Sequence, residues 1–284
     1  MTTTYCLRIK CPDSVGIVAA VSGFLADNHG WITEAKHHSD ASTGMFYMRQ
    51  EVRGDSLPFS LAELRRRFQP IAERFAMEWS IRSSDERQRV VLLVSKQDHC
   101  LADLLHRWRG GEYAIDIPCI ISNHEDCRQL ADWYGVPYEY VPIHRADKDA
   151  AFDRIEALYR EAGGEVMVLA RFMQILPPAL CERYFGQIIN IHHSFLPSFM
   201  GAKPYHQAFD RGVKLIGATC HYVTSDLDAG PIIEQEVVRV NHSHGAAEMV
   251  RLGKDVETIT LARGLAYHLQ DRVVIHENKT VVLT

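Results

Sequence analysis

Between residues 89 and 192, short apolar runs rich in β-branched residues alternate with stretches of helical spacing, and few folds tolerate that rhythm. Segments 89–95, 114–122, 138–141, 166–170 and 187–192 read as strands. Segments 100–109, 127–134, 150–162 and 178–184 read as the helices between them. Such alternation predicts a mainly parallel sheet with helices on both faces, and ligands of such sheets bind beyond the carboxyl ends of the strands. At that edge the last strand breaks into polar residues, in Asn190-Ile191-His192-His193-Ser194-Phe195-Leu196-Pro197. Asn190 and His192 are two apart and project to the same face of a strand, whereas His193 is expected to point the other way. An amide can hold a developing oxyanion and an imidazole can move a proton near neutral pH, so the pair suits carbonyl chemistry. A carboxylate follows in Ser225-Asp226-Leu227-Asp228-Ala229-Gly230-Pro231. Asp228 is the third candidate, with Asp226 competing for its role. Taken singly, each has an ordinary explanation: a turn residue, a buried histidine, a turn cap.

The first strand-to-helix turn excludes one class of ligand. A phosphate cradle needs glycines so that backbone amides can approach the anion. Here the turn is Ser95-Lys96-Gln97-Asp98-His99-Cys100, without glycine. Beyond Pro197, Gly201-Ala202-Lys203-Pro204 reads as a tight connection into a helix through Asp210. Segments 213–223 and 231–240 read as strands, with Gly217 permitting close backbone approach. A long helix over 246–269 and short β segments at 272–276 and 280–283 complete the chain.

The N-terminal part has a different rhythm. Strand 5–9, a helix from Gly16, strands 31–38 and 44–52, helix 57–76 and strand 77–81 give the order βαββαβ, a ferredoxin-like layout. Asp13 or Ser14 is placed to cap the first helix, and Gly30 to end it. Arg65-Arg66-Arg67 reads as a solvated helix face. The polar run Ser83-Ser84-Asp85-Glu86-Arg87-Gln88 marks a boundary, which predicts domains at 1–84 and 85–284.

Composition narrows the function. Hydrophobic content of 46% and charged content of 24% are those of a globular protein. A net charge of −5 disfavours a nucleic-acid partner. The seven cysteines form no Cys-x-x-Cys pair, so neither a zinc ribbon nor a disulfide framework is indicated and a reduced, cytoplasmic setting is expected. No signal-peptide pattern and no bilayer-length apolar run occur, so no membrane partner is expected. The chemistry sketched above requires no metal.

Several motifs occur together in one order: Leu169-Ala170-Arg171-Phe172-Met173-Gln174-Ile175-Leu176, Asn190 to Pro197, His221-Tyr222-Val223 and Asp228-Ala229-Gly230-Pro231-Ile232-Ile233. Residues 89–284 thereby resemble the 10-formyltetrahydrofolate-dependent formyltransferase family. Residues 4–83 resemble an ACT domain, through Pro12-Asp13-Ser14-Val15-Gly16-Ile17 and Asn28-His29-Gly30-Trp31-Ile32. Together with Pro204-Tyr205-His206-Gln207-Ala208, the pairing points to the hydrolytic members, the formyltetrahydrofolate deformylases. The resemblance implies that Asn190, His192 and Asp228 are catalytic, with 10-formyltetrahydrofolate as substrate and no tightly bound cofactor. It implies that Met173, Gln174, Ile175 and Leu176 wall the folate, and that Thr224, Ser225, Asp226 and Leu227 meet the pterin edge. Many relatives carry arginine at the position of Gln174, so this chain is expected to depend less on the glutamate tail unless Arg171 substitutes. In the ACT-like part, Asp13, Ser14, Gly16 and Asn28 would bind an amino-acid effector; a domain that only dimerises accounts for them equally well. The resemblance further implies a homo-oligomer, a dimer or tetramer. A transferase to an amine acceptor and a non-catalytic amino-acid sensor are the alternatives.

Overall fold

The computed structural model describes residues 2–197 and 204–284. Gly201, Ala202 and Lys203 of the expected tight connection lie outside the described residues. The chain divides into two compact units. One comprises Met1–Arg87, Gln270–His276 and Val281–Thr284; the other comprises Gln88–Leu269 and Glu277–Thr280. The boundary expected after residue 84 assigned the whole C-terminus to the larger domain, whereas here eleven of its residues, 7 from 270–276 and 4 from 281–284, group with the first unit.

The first unit runs β1 (Thr4–Pro12), α1 (Ile17–Asp27), β2 (Ile32–Asp40), β3 (Met45–Arg53), α2 (Leu61–Arg74) and β4 (Glu78–Ser83). Its antiparallel sheet has the order β2-β3-β1-β4, the ferredoxin-like arrangement. Strand alternation divides β3 between two apolar clusters. Phe46, Met48 and Val52 join Ile17, Val21, Leu25, Leu64 and Phe68 of the helices. Tyr47 faces the other way and packs with Val274 and Leu283 from the C-terminus. Arg49, also on that face and 1% exposed, is neutralised by Glu34 and Glu51 and donates Nε to the Gln270 carbonyl at 2.8 Å.

Three local expectations change here. The α1 cap is Gly16, at φ 98°, without a side-chain bond; the Asp13 carboxylate instead accepts from the Ser39 hydroxyl. The left-handed residue after α1 is His29, at φ 63°. Gly30 is needed for space, since a Cβ there would lie 2.9 Å from the Leu25 carbonyl oxygen. The second helix starts at Leu61, not residue 57, because Ser60 accepts from the Glu63 amide at 3.4 Å as its N-cap.

The second unit runs β5 (Gln88–Val94), α3 (His99–Arg109), β6 (Ile115–Asp116), β7 (Ile120–Ser122), α4 (Arg128–Tyr134), β8 (Tyr138–Tyr140), α5 (Lys148–Glu161), β9 (Val166–Leu169), α6 (Pro178–Arg183), β10 (Ile188–His192), α7 (Pro204–Arg211), β11 (Leu215–Tyr222), β12 (Ile232–Arg239) and α8 (Ala246–Leu269). A terminal ribbon of β13 (Val273–His276) and β14 (Lys279–Val282) follows. The expected strand over 114–122 is two short strands, because Pro118 between them has no amide to donate to a ladder. The eight-stranded sheet has the order β12-β11-β10-β9-β5-β7-β8, with β6 beside β5. It is parallel from β10 to β8 and antiparallel across β10-β11-β12. Val91 and Leu93 of β5 pack with Phe152 and Ile155 of α5, while Val90, Leu92 and Val94 are buried on the opposite face. Burial on both faces is why this strand is apolar throughout rather than alternating. Helix α8 packs on β11, β12 and α3.

Candidate active site

Asn190 and His192 project from the last two turns of the pleat of β10, at the carboxyl edge of the parallel strands, as alternation requires. They open into a cavity of about 560 Å³. Asp228 reaches the same space from the loop between β11 and β12, and its Oδ1 lies 3.2 Å from His192 Nδ1. Two features hold it there. Its backbone is left-handed, at φ 54°, a conformation that aspartate tolerates better than most residues. Gly230 lets the loop close on β11: a Cβ there would sit 1.8 Å from the Tyr222 carbonyl oxygen.

The contact with Asp228 assigns a proton. Nδ1 of His192 donates to the carboxylate, so Nε2 carries the lone pair, and it is buried without a hydrogen-bond partner among the described residues. Burial alone would raise the Asp228 carboxyl, but the His192 hydrogen bond and the nearby histidine charges outweigh it and hold it below its ordinary value. The group therefore enters neutral pH as a carboxylate.

His221, across the antiparallel pair from Asn190, carries a role that no local pattern announced. Its Nδ1 lies 2.8 Å from the Tyr222 carbonyl and its Nε2 lies 3.2 Å from Asn190 Nδ2. With Nδ1 donating to the carbonyl, Nε2 accepts one amide proton of Asn190 and fixes which end of the side chain is the donor. Burial lowers the pKa of His221 and keeps that ring neutral. The second amide proton of Asn190 remains available to a ligand.

His193 departs from expectation. Strand geometry stops at His192, so alternation no longer governs the next residue, and the two rings lie with centroids 5.0 Å apart. His193 lines the same cavity. Burial, the Arg171 guanidinium and His192 push its pKa down to about 4.

Met173, Gln174, Ile175, Leu176, Thr224, Ser225, Asp226 and Leu227 all line this cavity. Ser95, just beyond β5, organises the first group: its hydroxyl accepts from the Met173 amide at 3.0 Å, and its amide donates to the Arg171 carbonyl at 3.3 Å. Met173, Ile175 and Leu227 are more than half exposed and give the cavity an apolar wall. Arg171 is not free to supply the cation that Gln174 lacks. It is 7% exposed, donates to Gln97 at 2.9 and 3.1 Å, and lies 3.3 Å from Glu257. Asp226 lies in the loop, but it is Asp228 that meets His192.

Among the described residues, His99, Cys100 and Glu257 bring three potential metal-ligand atoms within 4.8 Å of one another. The Arg171 guanidinium already supplies a cation to that carboxylate, and burial with the Glu257 charge pushes the Cys100 thiol well above its ordinary range. In the first unit, two of the four effector candidates are locally engaged: Asp13 with Ser39, and Asn28 with the Phe24 carbonyl at 2.7 Å. Among the described residues, no helix is long and apolar enough to cross a membrane.

An amide donor, a histidine with a free Nε2 and a carboxylate thus surround one cavity with an apolar wall, a set suited to acyl transfer. Comparison with known proteins agrees. A family model described as formyl transferase matches residues 88–265. A formyltetrahydrofolate deformylase of Synechocystis is 46% identical over 98% of this chain and 98% of its own. The crystal structure of a formyltetrahydrofolate deformylase from Pseudomonas syringae superposes with a TM-score of 0.98 at 59% identity, over 100% of this chain and 95% of that one. A phosphoribosylglycinamide formyltransferase from Anaplasma phagocytophilum, 32% identical, superposes on 70% of this chain and 96% of its own with a TM-score of 0.65. With this coverage and identity, the chain belongs to the formyltetrahydrofolate deformylase family.

Proposed function

We propose that the chain hydrolyses 10-formyltetrahydrofolate to formate and tetrahydrofolate, with Asn190, His192 and Asp228 as catalytic residues. The observation that carries the proposal is the convergence of Asn190, His192 and Asp228 on one cavity, with Asp228 on Nδ1 of the His192 ring and Nε2 left without a partner among the described residues. Water adds to the formyl carbon and gives a tetrahedral oxyanion. The free amide proton of Asn190 donates to that oxygen. His192 takes a proton from the attacking water through Nε2 and passes it to the departing folate nitrogen, while Asp228 holds the ring and stabilises the imidazolium. The C–N bond breaks as the oxyanion collapses. The wall from Met173 to Leu176 and the loop from Thr224 to Leu227 support the folate.

The remaining parts of the proposal concern the setting. Residues 1–84 form a regulatory and dimerisation module whose amino-acid effector meets Asp13, Ser14, Gly16 and Asn28. The protein works as a homo-oligomer in the cytoplasm, where seven free cysteines are in keeping with a reducing compartment. No tightly bound cofactor takes part. The deciding test is incubation with the formyl folate alone. Formate released without any acceptor supports the reading; none released, with folate bound, refutes it. Repeating the assay with glycine or methionine tests the effector.

A further inference from the structure

A cavity that presents a formyl carbon to water can present it to an amine, and a transferase shares this fold. The triad alone does not explain which nucleophile enters. Beyond the apolar wall, the lining contains Gln97, Arg171, Tyr205 and Glu257. Glu257 of α8 is 1% exposed, yet two hydrogen-bond partners and a guanidinium, from three separate segments, converge on it. His99 Nε2 of α3 lies 2.7 Å from Oε2, and Arg171 Nε lies 3.3 Å from the same oxygen. The Tyr205 hydroxyl of α7 donates to Oε1 at 2.6 Å. Burial alone would raise the Glu257 carboxyl, but the His99 hydrogen bond, the Arg171 charge and the Tyr205 hydroxyl hold it below its ordinary value. Tyr205 reaches it only because residue 253 is glycine: a Cβ there would sit 2.1 Å from the tyrosine Cζ. The cluster adjoins the triad through His193, whose ring centroid lies 5.0 Å from that of His192 and 6.4 Å from that of Tyr205. Arg171 holds its place with a left-handed backbone, φ 63°, which costs a non-glycine residue energy and points to a functional constraint.

We infer that Glu257, with His99, Arg171 and Tyr205, is a specificity plug that denies an amine acceptor a seat beside His192 and leaves water as the nucleophile. The inference rests on the formyl-folate reading. An amine needs an acceptor to orient its N–H groups, and a charged one needs a carboxylate. The carboxylate of the plug has both oxygens committed. Seating an amine there would draw the carboxylate away from a buried guanidinium and leave that charge unpaired, which costs more than the new contact returns. Water needs no such seat. The two outcomes balance in the same way. In hydrolysis, the water oxygen bonds to the formyl carbon, the C–N10 bond breaks, N10 takes one proton, and the formic acid produced loses the other to become formate. In transfer, the amine nitrogen bonds to that carbon and N10 takes the amine proton.

The test uses the full chain, the formyl folate and glycinamide as a small primary amine. Formate and N-formylglycinamide are measured together. The unaltered protein should yield formate alone, at a rate that glycinamide does not change. Tyr205→Phe frees one oxygen of Glu257 while keeping the ring, and Gly253→Ala displaces the ring itself. Each should raise the ratio of formylglycinamide to formate on the order of tenfold or more. Formylation of glycinamide by the unaltered protein would overturn the inference, as would an unchanged ratio in folded Tyr205→Phe. Absence of formate from the unaltered protein would instead refute the proposed hydrolysis, and the plug with it.

Discussion

His193 makes the stability of the second unit depend on acid in a calculable way. The ring is 8% exposed, and its Nδ1 is buried without a partner among the described residues. Burial, then Arg171 and His192, lower its pKa from 6.5 to about 4. The unfolded chain takes up this proton as pH falls below about 6.5, whereas the folded chain resists until about pH 4, so acid favours unfolding over that interval. The stability present above the unfolded value is therefore lost as pH falls toward the folded one. At about 1.4 kcal/mol for each tenfold change in proton affinity, the whole loss is about 3 kcal/mol, and most of it is complete by about pH 4.5. His193→Gln keeps a polar side chain but cannot titrate. Urea denaturation at about pH 7.5 and about pH 4.5 should show the unaltered protein losing 2 to 3 kcal/mol, roughly, that the variant retains. Amide exchange of β10, read at the same two values, assigns the loss to the second unit. Equal losses in both proteins would refute the reasoning, because every other titrating group is common to them.

Other expectations follow from the same geometry. Asn190→Ala, His192→Ala and Asp228→Asn should each lower kcat for formate release by about 10²–10³, with KM moved only a few-fold; near-native turnover in any of them would remove that residue from the mechanism. Gly230→Ala places a Cβ 1.8 Å from the Tyr222 carbonyl oxygen and must move the loop that carries Asp228. Formate release should fall about 100-fold, and unaltered turnover would show that the loop position is irrelevant. With Gln174 neutral and Arg171 committed to Gln97 and Glu257, raising salt should change KM for the substrate less than about twofold, while Gln174→Arg should lower KM in a salt-sensitive way. A steep salt dependence of the unaltered protein that survives Arg171→Ala would contradict this account.

What could be read from the chain was whatever is periodic or contiguous. The apolar run of β5 announces a strand buried on both faces, because each residue on it meets a hydrophobic layer. Asn190 and His192 share a face because a pleat repeats every two residues, and their place at a strand's carboxyl end follows from the alternation of strands and helices. The family, too, is legible, since its motifs stand in a set order. Pro118 could have revealed the break between β6 and β7, because a residue without an amide cannot serve a central ladder. His193 could not be placed correctly by alternation, since alternation ends with the strand and nothing local marks where that happens.

Tertiary structure decided the rest. His221 holds Asn190 because antiparallel pairing sets residue 221 opposite residue 190, a register that arises only when two strands 31 residues apart meet. Glu257 gathers His99, Arg171 and Tyr205 from three other segments, the set spanning more than half the chain, and no spacing along a sequence encodes such convergence. The C-terminal residues cover Tyr47 and Arg49 because alternation leaves one face of the first sheet without helices. Residue types and their periods thus determined which elements form and what chemistry they can carry. Which side chains touch was settled by packing, because burial brings together groups that are distant along the chain and makes a buried charge or donor costly unless it is paired there.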